Sequence, residues 1–419
     1  LKYEDFLKYH KEYYHPSNSY IYMYGDMDVD ERLKYLDEEY LSDFDVSDVD
    51  IHANIERQAA FDKPVYETKP YAITEDESLE DNTYLSYNAV IGTSVDAKLY
   101  LAFQILDYAL VMTPGAPVKQ ALLDAGISTD VYSSYETSLY QPVYSIVAKN
   151  SNSKEQDRFV SVINDTLEKL VKDGINERTI EAGINYYEFK YREADYGPYP
   201  KGLMYYLTMM DSWLYDETKP FIHIEAGDTF DELKKNARNG YFEKLIKEYL
   251  LDNNHKSIIS LVPEYGLEKE KEQKEADKLA EYKSTLTNDE LEELVKKTKE
   301  LKEYQETPST KEELETIPML TRADIKRDVL PLYNEERSMD GVKVLFHEMS
   351  TKKIGYLELV FDADFADLSI ISFTSALYYA TFPTRLYINF STFPTCFDMI
   401  LSTFPTTKYL LRQLMNGYG

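Results

Sequence analysis

A single cysteine, Cys396, stands in a chain of 419 residues. One cysteine cannot close a disulfide within the chain or build a cysteine-based zinc site. It fits a reducing compartment, and for a bacterial source the cytoplasm suits it better than secretion. Positive charge is also scarce. Lys and Arg number 46 against 75 Asp and Glu, a formal net charge of −29. That balance argues against nucleic acid as a ligand, because phosphate binding needs a basic surface. An acidic surface also repels anionic membranes and attracts cationic peptides. No uninterrupted apolar run has the length of a bilayer span, so no membrane is expected as a partner. Leu1 opens with neither an initiator Met nor a signal-type segment, which reads as an internal piece of a longer chain.

Catalytic motifs are missing as well. There is no Gly-x-Ser-x-Gly elbow and no Gly-x4-Gly-Lys-Ser/Thr phosphate loop. Cys396 lies in a repetitive tail, a poor setting for a nucleophile. The histidines are His10, His15, His52, His223, His255 and His347. A zinc peptidase needs two histidines on one helix face and a carboxylate that activates water. His10 and His15 are five apart, about 140° around a helix, and Pro16 ends that helix at once. Packing and helix-end charge are the better reading for both. "HEMST" at His347 begins like a zincin motif, but Thr351 stands where the second histidine belongs. The His223–Glu225 pair in "FIHIE" reads as a loop or strand edge. No residue is therefore assigned a catalytic, cofactor-binding or metal-ligating role.

What is present is a globular composition: 43% hydrophobic residues and 39 tyrosines. Residues 1–45 read as an amphipathic helix carrying Phe6, Tyr9, His10 and Tyr13, then a turn and a strand over residues 19–24. A second helix follows, capped by Asp28 with Glu31 three residues on. Residues 46–82 are an acidic linker with one edge strand near residues 65–71. Residues 83–266 run strand, helix, hairpin, helices, strand, which is an α+β layer of one antiparallel sheet covered by helices. Within it a helix is expected over residues 229–250. Residues 267–316 form an αα-hairpin of Glu and Lys. Its second helix starts at a Thr287–Glu290 capping box and carries a narrow apolar stripe through Leu291, Leu294, Val295, Thr298 and Leu301, expected to be buried. Residues 317–376 begin a further domain with strands in "VKVLFHEMS" and "IGYLELVFDA". Residues 377–419 hold three eleven-residue blocks with Thr-Phe-Pro-Thr. Their regular prolines forbid a continuous helix and point to an artefact or a poorly ordered tail.

Several stretches agree in order with one family. "LKYEDFLKYHKEYYHPSNSYIYMYGDMD" resembles the end of the first domain in the presequence-protease branch of the pitrilysin/insulinase-type zinc peptidases. "GAPVKQALLDAGI" and "YGPYPKGLMYYLTMMDSWLYD" resemble stretches of the second domain. The Glu/Lys hairpin resembles the linker between the two halves, and "GVKVLFHEMSTKKIGYLELVFDA" the start of the third domain. The likeness covers residues 1 to about 375.

The resemblance implies zinc endopeptidases whose four α+β domains clasp a chamber and degrade unfolded peptides. Their His-x-x-Glu-His motif, in the first domain, occurs nowhere in this sequence, so no metal or catalytic residue carries over. Zinc would belong to the full-length protein, with none expected on this chain. The partners would be peptide substrates and the remaining domains of the same protein. Residues 1–45 would then lack their sheet partners, leaving unpaired backbone and exposed apolar faces. The expected role is chamber wall and hinge. The alternative is a non-catalytic scaffold of the same fold that docks through the helical hairpin.

Overall fold

The computed structural model describes residues 2–45, 55–325 and 334–348, Ile354 and Tyr356, and the backbone of strands at 358–362 and 385–389. His52, Thr351, Cys396 and most of the repetitive tail lie outside the described residues.

Five strands make the main sheet: β1 (Val65–Ile73), β2 (Thr83–Val90), β3 (Asp130–Glu136), β4 (Val143–Ser151) and β5 (Lys256–Tyr265), in the order β1-β5-β2-β4-β3. Strands β2 to β5 pair antiparallel, as expected. One pair differs: β1 runs parallel to β5. A parallel pair needs a long crossover, and the whole helical layer between β1 and β5 supplies one. The edge strand expected inside the acidic linker is thus a member of this sheet.

Period-two patterning decides which face of the sheet is covered. Leu85, Tyr87 and Ala89 of β2 and Tyr144, Ile146 and Ala148 of β4 are fully buried. Against them pack α3 (Ala97–Asp107), α4 (Pro117–Asp124), α5 (Gln156–Asp173) and α6 (Glu177–Glu193), followed by α7 (Lys201–Trp213), α8 (Gly227–Asn236) and α9 (Tyr241–Leu245). Asp96 caps α3 by accepting from the Leu99 amide at 3.0 Å, and Asn176 caps α6 by accepting from the Arg178 amide at 3.0 Å. The α5 helix stops at Gly174, as its position predicts. Phe103, Phe159, Phe230 and Phe242 fill the space between sheet and helices.

Three local departures have clear causes. The helix expected over residues 229–250 is broken at Asn239 and Gly240, where Gly240 takes a left-handed φ of 69° between α8 and α9. π-Helical turns extend α3 (Tyr108–Met112) and α9 (Ile246–Leu251). The stretch Ala97–Asp124 is long and apolar enough to cross a membrane. Lys98, Gln104 and Asp107 interrupt it in sequence, and most of α3 is buried in this core.

The flanking segments are built differently. The first, α1 (Tyr3–Tyr13) and α2 (Val29–Glu39), buries no residue. Residues 19–24 lie between them and are not a strand, because no described strand pairs with them. Beyond the sheet, α10 (Leu267–Thr285) and α11 (Asn288–Glu306) are both present, and the Thr287–Glu290 capping box is formed. The apolar stripe of α11 is not buried: Leu294, Val295 and Leu301 are half exposed, and the two helices do not pack along each other. A short α12 (Lys311–Glu315) follows.

Next, β6 (Glu335–Met339) and β7 (Val342–Phe346) form a hairpin. Its turn is Asp340 and Gly341, with φ of 50° and 85°, the left-handed pair that a two-residue hairpin demands. Finally, β8 (Glu358–Asp362) pairs antiparallel with β9 (Arg385–Asn389), which sits in the first Thr-Phe-Pro-Thr block between its proline and the next.

Candidate functional site

Four of the five histidines within the described residues have a local contact. The His10 ring stacks on Tyr14 at 4.6 Å. His15 Nδ1 accepts from the Ser17 amide at 3.2 Å, closing the turn before Ser19. His255 is buried edge-on against Phe61 at 4.6 Å, and burial pushes its pKa down. His347 is exposed just after β7. His223 and Glu225 lie in the turn between α7 and α8, as a loop reading expects. Among the described residues no three His, Cys, Asp or Glu side chains converge to hold a metal ion.

The most constrained polar cluster surrounds His223. Its ring stacks on Tyr100 at 3.9 Å. Its Nε2 lies 2.8 Å from the Ser94 carbonyl, which can only accept, so Nε2 carries the proton. Nδ1 is buried with no hydrogen-bond partner among the described residues. Burial pushes the pKa down to about 4, against the opposing pull of the Ser94 carbonyl, so the ring is neutral near pH 7. Beside it, the Tyr100 hydroxyl donates to Asp211 Oδ2 at 2.7 Å and the Thr137 hydroxyl donates at 3.1 Å. Burial raises the Asp211 pKa, and the two hydroxyls work against that rise.

The cluster ties together α3, the β3–β4 loop, α7 and the turn after it. It gives partners to the buried Asp211 carboxylate and to His223 Nε2. Sequence reasoning missed it. The available signal was an acid inside the apolar run "LTMMDSW" of α7.

Lys256 plays a similar structural part. Its ammonium donates to the carbonyls of Leu250 at 2.8 Å and Leu251 at 3.1 Å, closing the end of the second π-helical turn. Tyr87 shares this knot through its own hydroxyl bond to the Leu250 carbonyl.

Two surfaces on or beside the sheet domain offer contacts to a partner. On the uncovered sheet face, Ser86, Asn88, Ser145 and Ser257 form a half-buried row of hydroxyls and amide. Asn88 Nδ2 donates to the Ser257 carbonyl at 3.2 Å and to Ser86 Oγ at 3.0 Å. Such a face offers hydrogen bonds to a polar chain, without acid–base machinery. The second surface is aromatic. Tyr20, Tyr22 and Tyr24 meet Trp213, Tyr206 and Tyr205 of α7 at ring-centroid distances of 4.5, 5.2 and 5.8 Å. Beside them opens a cleft of about 550 Å³, whose lining includes Pro200, Lys201 and Gly202.

Comparison with known proteins adds the family. Residues 1–187 match the family model described as the peptidase M16 inactive domain. Residues 261–373 match the one described as associated with subfamily C of the same peptidase family. Protein HypA of Clostridium perfringens is 40% identical over 377 residues, covering 90% of this chain and 38% of that protein. Presequence protease 1, chloroplastic/mitochondrial, of Arabidopsis thaliana is 33% identical over 368 residues, covering 86% of this chain and 34% of that protein. The chain thus spans little more than a third of the length of these relatives. A protease of Helicobacter pylori superposes over 63% of this chain and 59% of its own with a TM-score of 0.47 and 13% identity. Two family models in chain order, and relatives that span most of the sequence, place the chain in the M16 peptidase family, on its presequence-protease side and within its non-catalytic part.

Proposed function

We propose that this chain supplies chamber wall and hinge, not chemistry, to a zinc metalloendopeptidase that degrades unfolded peptides. The observation that carries the reading is the match of residues 1–187 to an inactive peptidase domain. The likeness of the chain to a presequence protease supports it. On this reading zinc is held elsewhere in the whole protein. Residues 83–266 with β1 form wall, residues 267–316 form the brace between halves, and residues 317–376 begin the next domain. The net charge of −29 would draw basic peptides such as targeting sequences toward the wall.

The test uses the purified chain, supplied with zinc. Elemental mass spectrometry is expected to find no stoichiometric metal, and an unfolded basic peptide is expected to stay intact. One tightly held zinc per chain, or sustained hydrolysis, would overturn the reading. A scaffold role is favoured by one feature, the exposed apolar stripe of α11. The gene separates the two. A His-x-x-Glu-His codon run in frame ahead of Leu1 supports the peptidase, and other residues in its place support the scaffold.

A further inference from the structure

Gly202 sits in the first turn of α7, where no unusual backbone angle requires glycine. Glycine there weakens the helix relative to alanine, so its presence needs another cause. The cause is steric. A Cβ at position 202 would lie 2.4 Å from Cδ1, 2.7 Å from Cγ and 2.9 Å from Cβ of Tyr24. These are the near atoms of the side chain, not a flexible tip, so a small rotation cannot relieve the overlap. Gly202 is itself buried, although the surrounding segment is open.

Tyr24 is the last rung of a period-two row. Tyr20, Tyr22 and Tyr24 alternate along one side of an extended segment, and each finds an aromatic partner on α7. Their partners climb α7 in reverse order, so the row and the helix run antiparallel. The far end is fixed by Tyr20, whose ring lies on Trp213 and whose hydroxyl donates to Glu217 at 3.4 Å. Tilted and edge-on aromatic pairs of this kind attract, and a row of three tyrosines offers an aromatic helix face more than one register. A step that fits only one ring at one place removes that freedom.

We propose that Gly202 is a keyhole for Tyr24 that sets the register of the tyrosine row on α7. The tyrosine row is thereby held at one register although no described strand pairs with residues 19–24, and the N-terminal segment is coupled to the sheet domain at a single defined position. This goes beyond the wall-and-hinge reading and does not depend on it, because both sides of the joint lie in this chain.

The chain carries its own reporter. Trp213 is the single tryptophan and it occupies the opposite end of the row from Gly202. In Gly202→Ala the row shifts as a unit. Trp213 emission then moves to longer wavelength and its protection from iodide quenching falls, while far-UV circular dichroism keeps the helix and sheet signal. Tyr24→Ala produces the same change at Trp213, and Gly202→Ala/Tyr24→Ala adds nothing further to it, since both act through one contact. Two results would overturn the proposal. One is unchanged Trp213 emission and quenching in Gly202→Ala. The other is additive effects of the two substitutions, which would mean that they act separately.

Discussion

The sheet domain and the segments on either side of it use similar residues to opposite ends. In α3, eight of eleven residues are buried. In α1, α2, α10 and α11 none is. Phe6, Leu33, Tyr40, Leu294 and Leu301 are as apolar as the residues of the core, yet each is about half exposed. Burial, not composition, separates the two regions. Helix formation in water is marginal below about 12–15 residues, and most helical stability comes from packing an apolar face. The sheet domain therefore carries its own stability, whereas the flanks hold faces whose stabilising contacts are not among the described residues.

The comparison breaks most directly by emptying the core. Phe103 is fully buried against Tyr135, Tyr144 and Tyr249. Phe103→Ala is expected to cost about 3–5 kcal/mol, measured by urea unfolding of the tyrosine signal. Phe6→Ala, at a half-exposed position of α1, should stay within about 0.5 kcal/mol. Equal costs would mean that the flank has a core of its own.

Acidification probes the same core through His223. Its folded pKa of about 4 lies below the ordinary 6.5. Between those values the unfolded chain binds a proton that the folded chain refuses, so stability falls as the pH drops from 6.5 toward 4. The full loss is about 3 kcal/mol. Asp107 and Asp211 act in the opposite sense. Burial raises their pKa values, so the folded chain takes up their protons first and acidification relieves a penalty. Subtracting the curve of His223→Gln, which keeps a donor for the Ser94 carbonyl, isolates the histidine. Parallel curves for the two proteins would remove the buried ring from the account.

Hydrogen exchange sharpens the contrast without mutation. Amides of β2 and β4 should exchange only through global opening, and those of α1, α2, α10 and α11 through local fraying. Protection of α11 equal to that of β2 would contradict the division.

Much of the sheet domain was legible because its signals are local. Asp96, Asn176 and Gly174 mark helix ends by their own side-chain or backbone chemistry, and the alternation in β2 reads directly as one covered face. The misses were of two kinds. Some local signals are outweighed by periodicity: Asn239 and Gly240 interrupt a helical pattern that continues on both sides, and the tight turn at Asp340 and Gly341 adjoins a longer apolar run that dominates the pattern. The rest depended on distant partners. Residues 19–24 are strand formers by type, but a strand exists only when another strand bonds it. The parallel β1–β5 pair joins residues nearly two hundred apart. The Asp211–Tyr100–His223 cluster joins α3, α7 and a turn, and no spacing in one stretch announces it. The apolar stripe of α11 was read correctly as a stripe; its burial was a statement about a neighbour, which sequence periodicity does not contain.

The smallest effect is the most discriminating for that helix. Thr287 caps α11 by accepting from the Glu290 amide at 3.3 Å, and Glu290 Oε2 accepts from the Thr287 amide at 2.8 Å. Thr287→Ala removes the first bond and should cost the helix about 0.5–2 kcal/mol of local stability. Because α11 buries nothing, that loss has no route into the sheet domain. Exchange of the first-turn amides of α11 should accelerate, while the unfolding midpoint of the core stays where it was. A lowered midpoint would show that α11 shares the cooperative unit of β2 and Phe103, and the line drawn between braced core and open flank would have to move beyond residue 306.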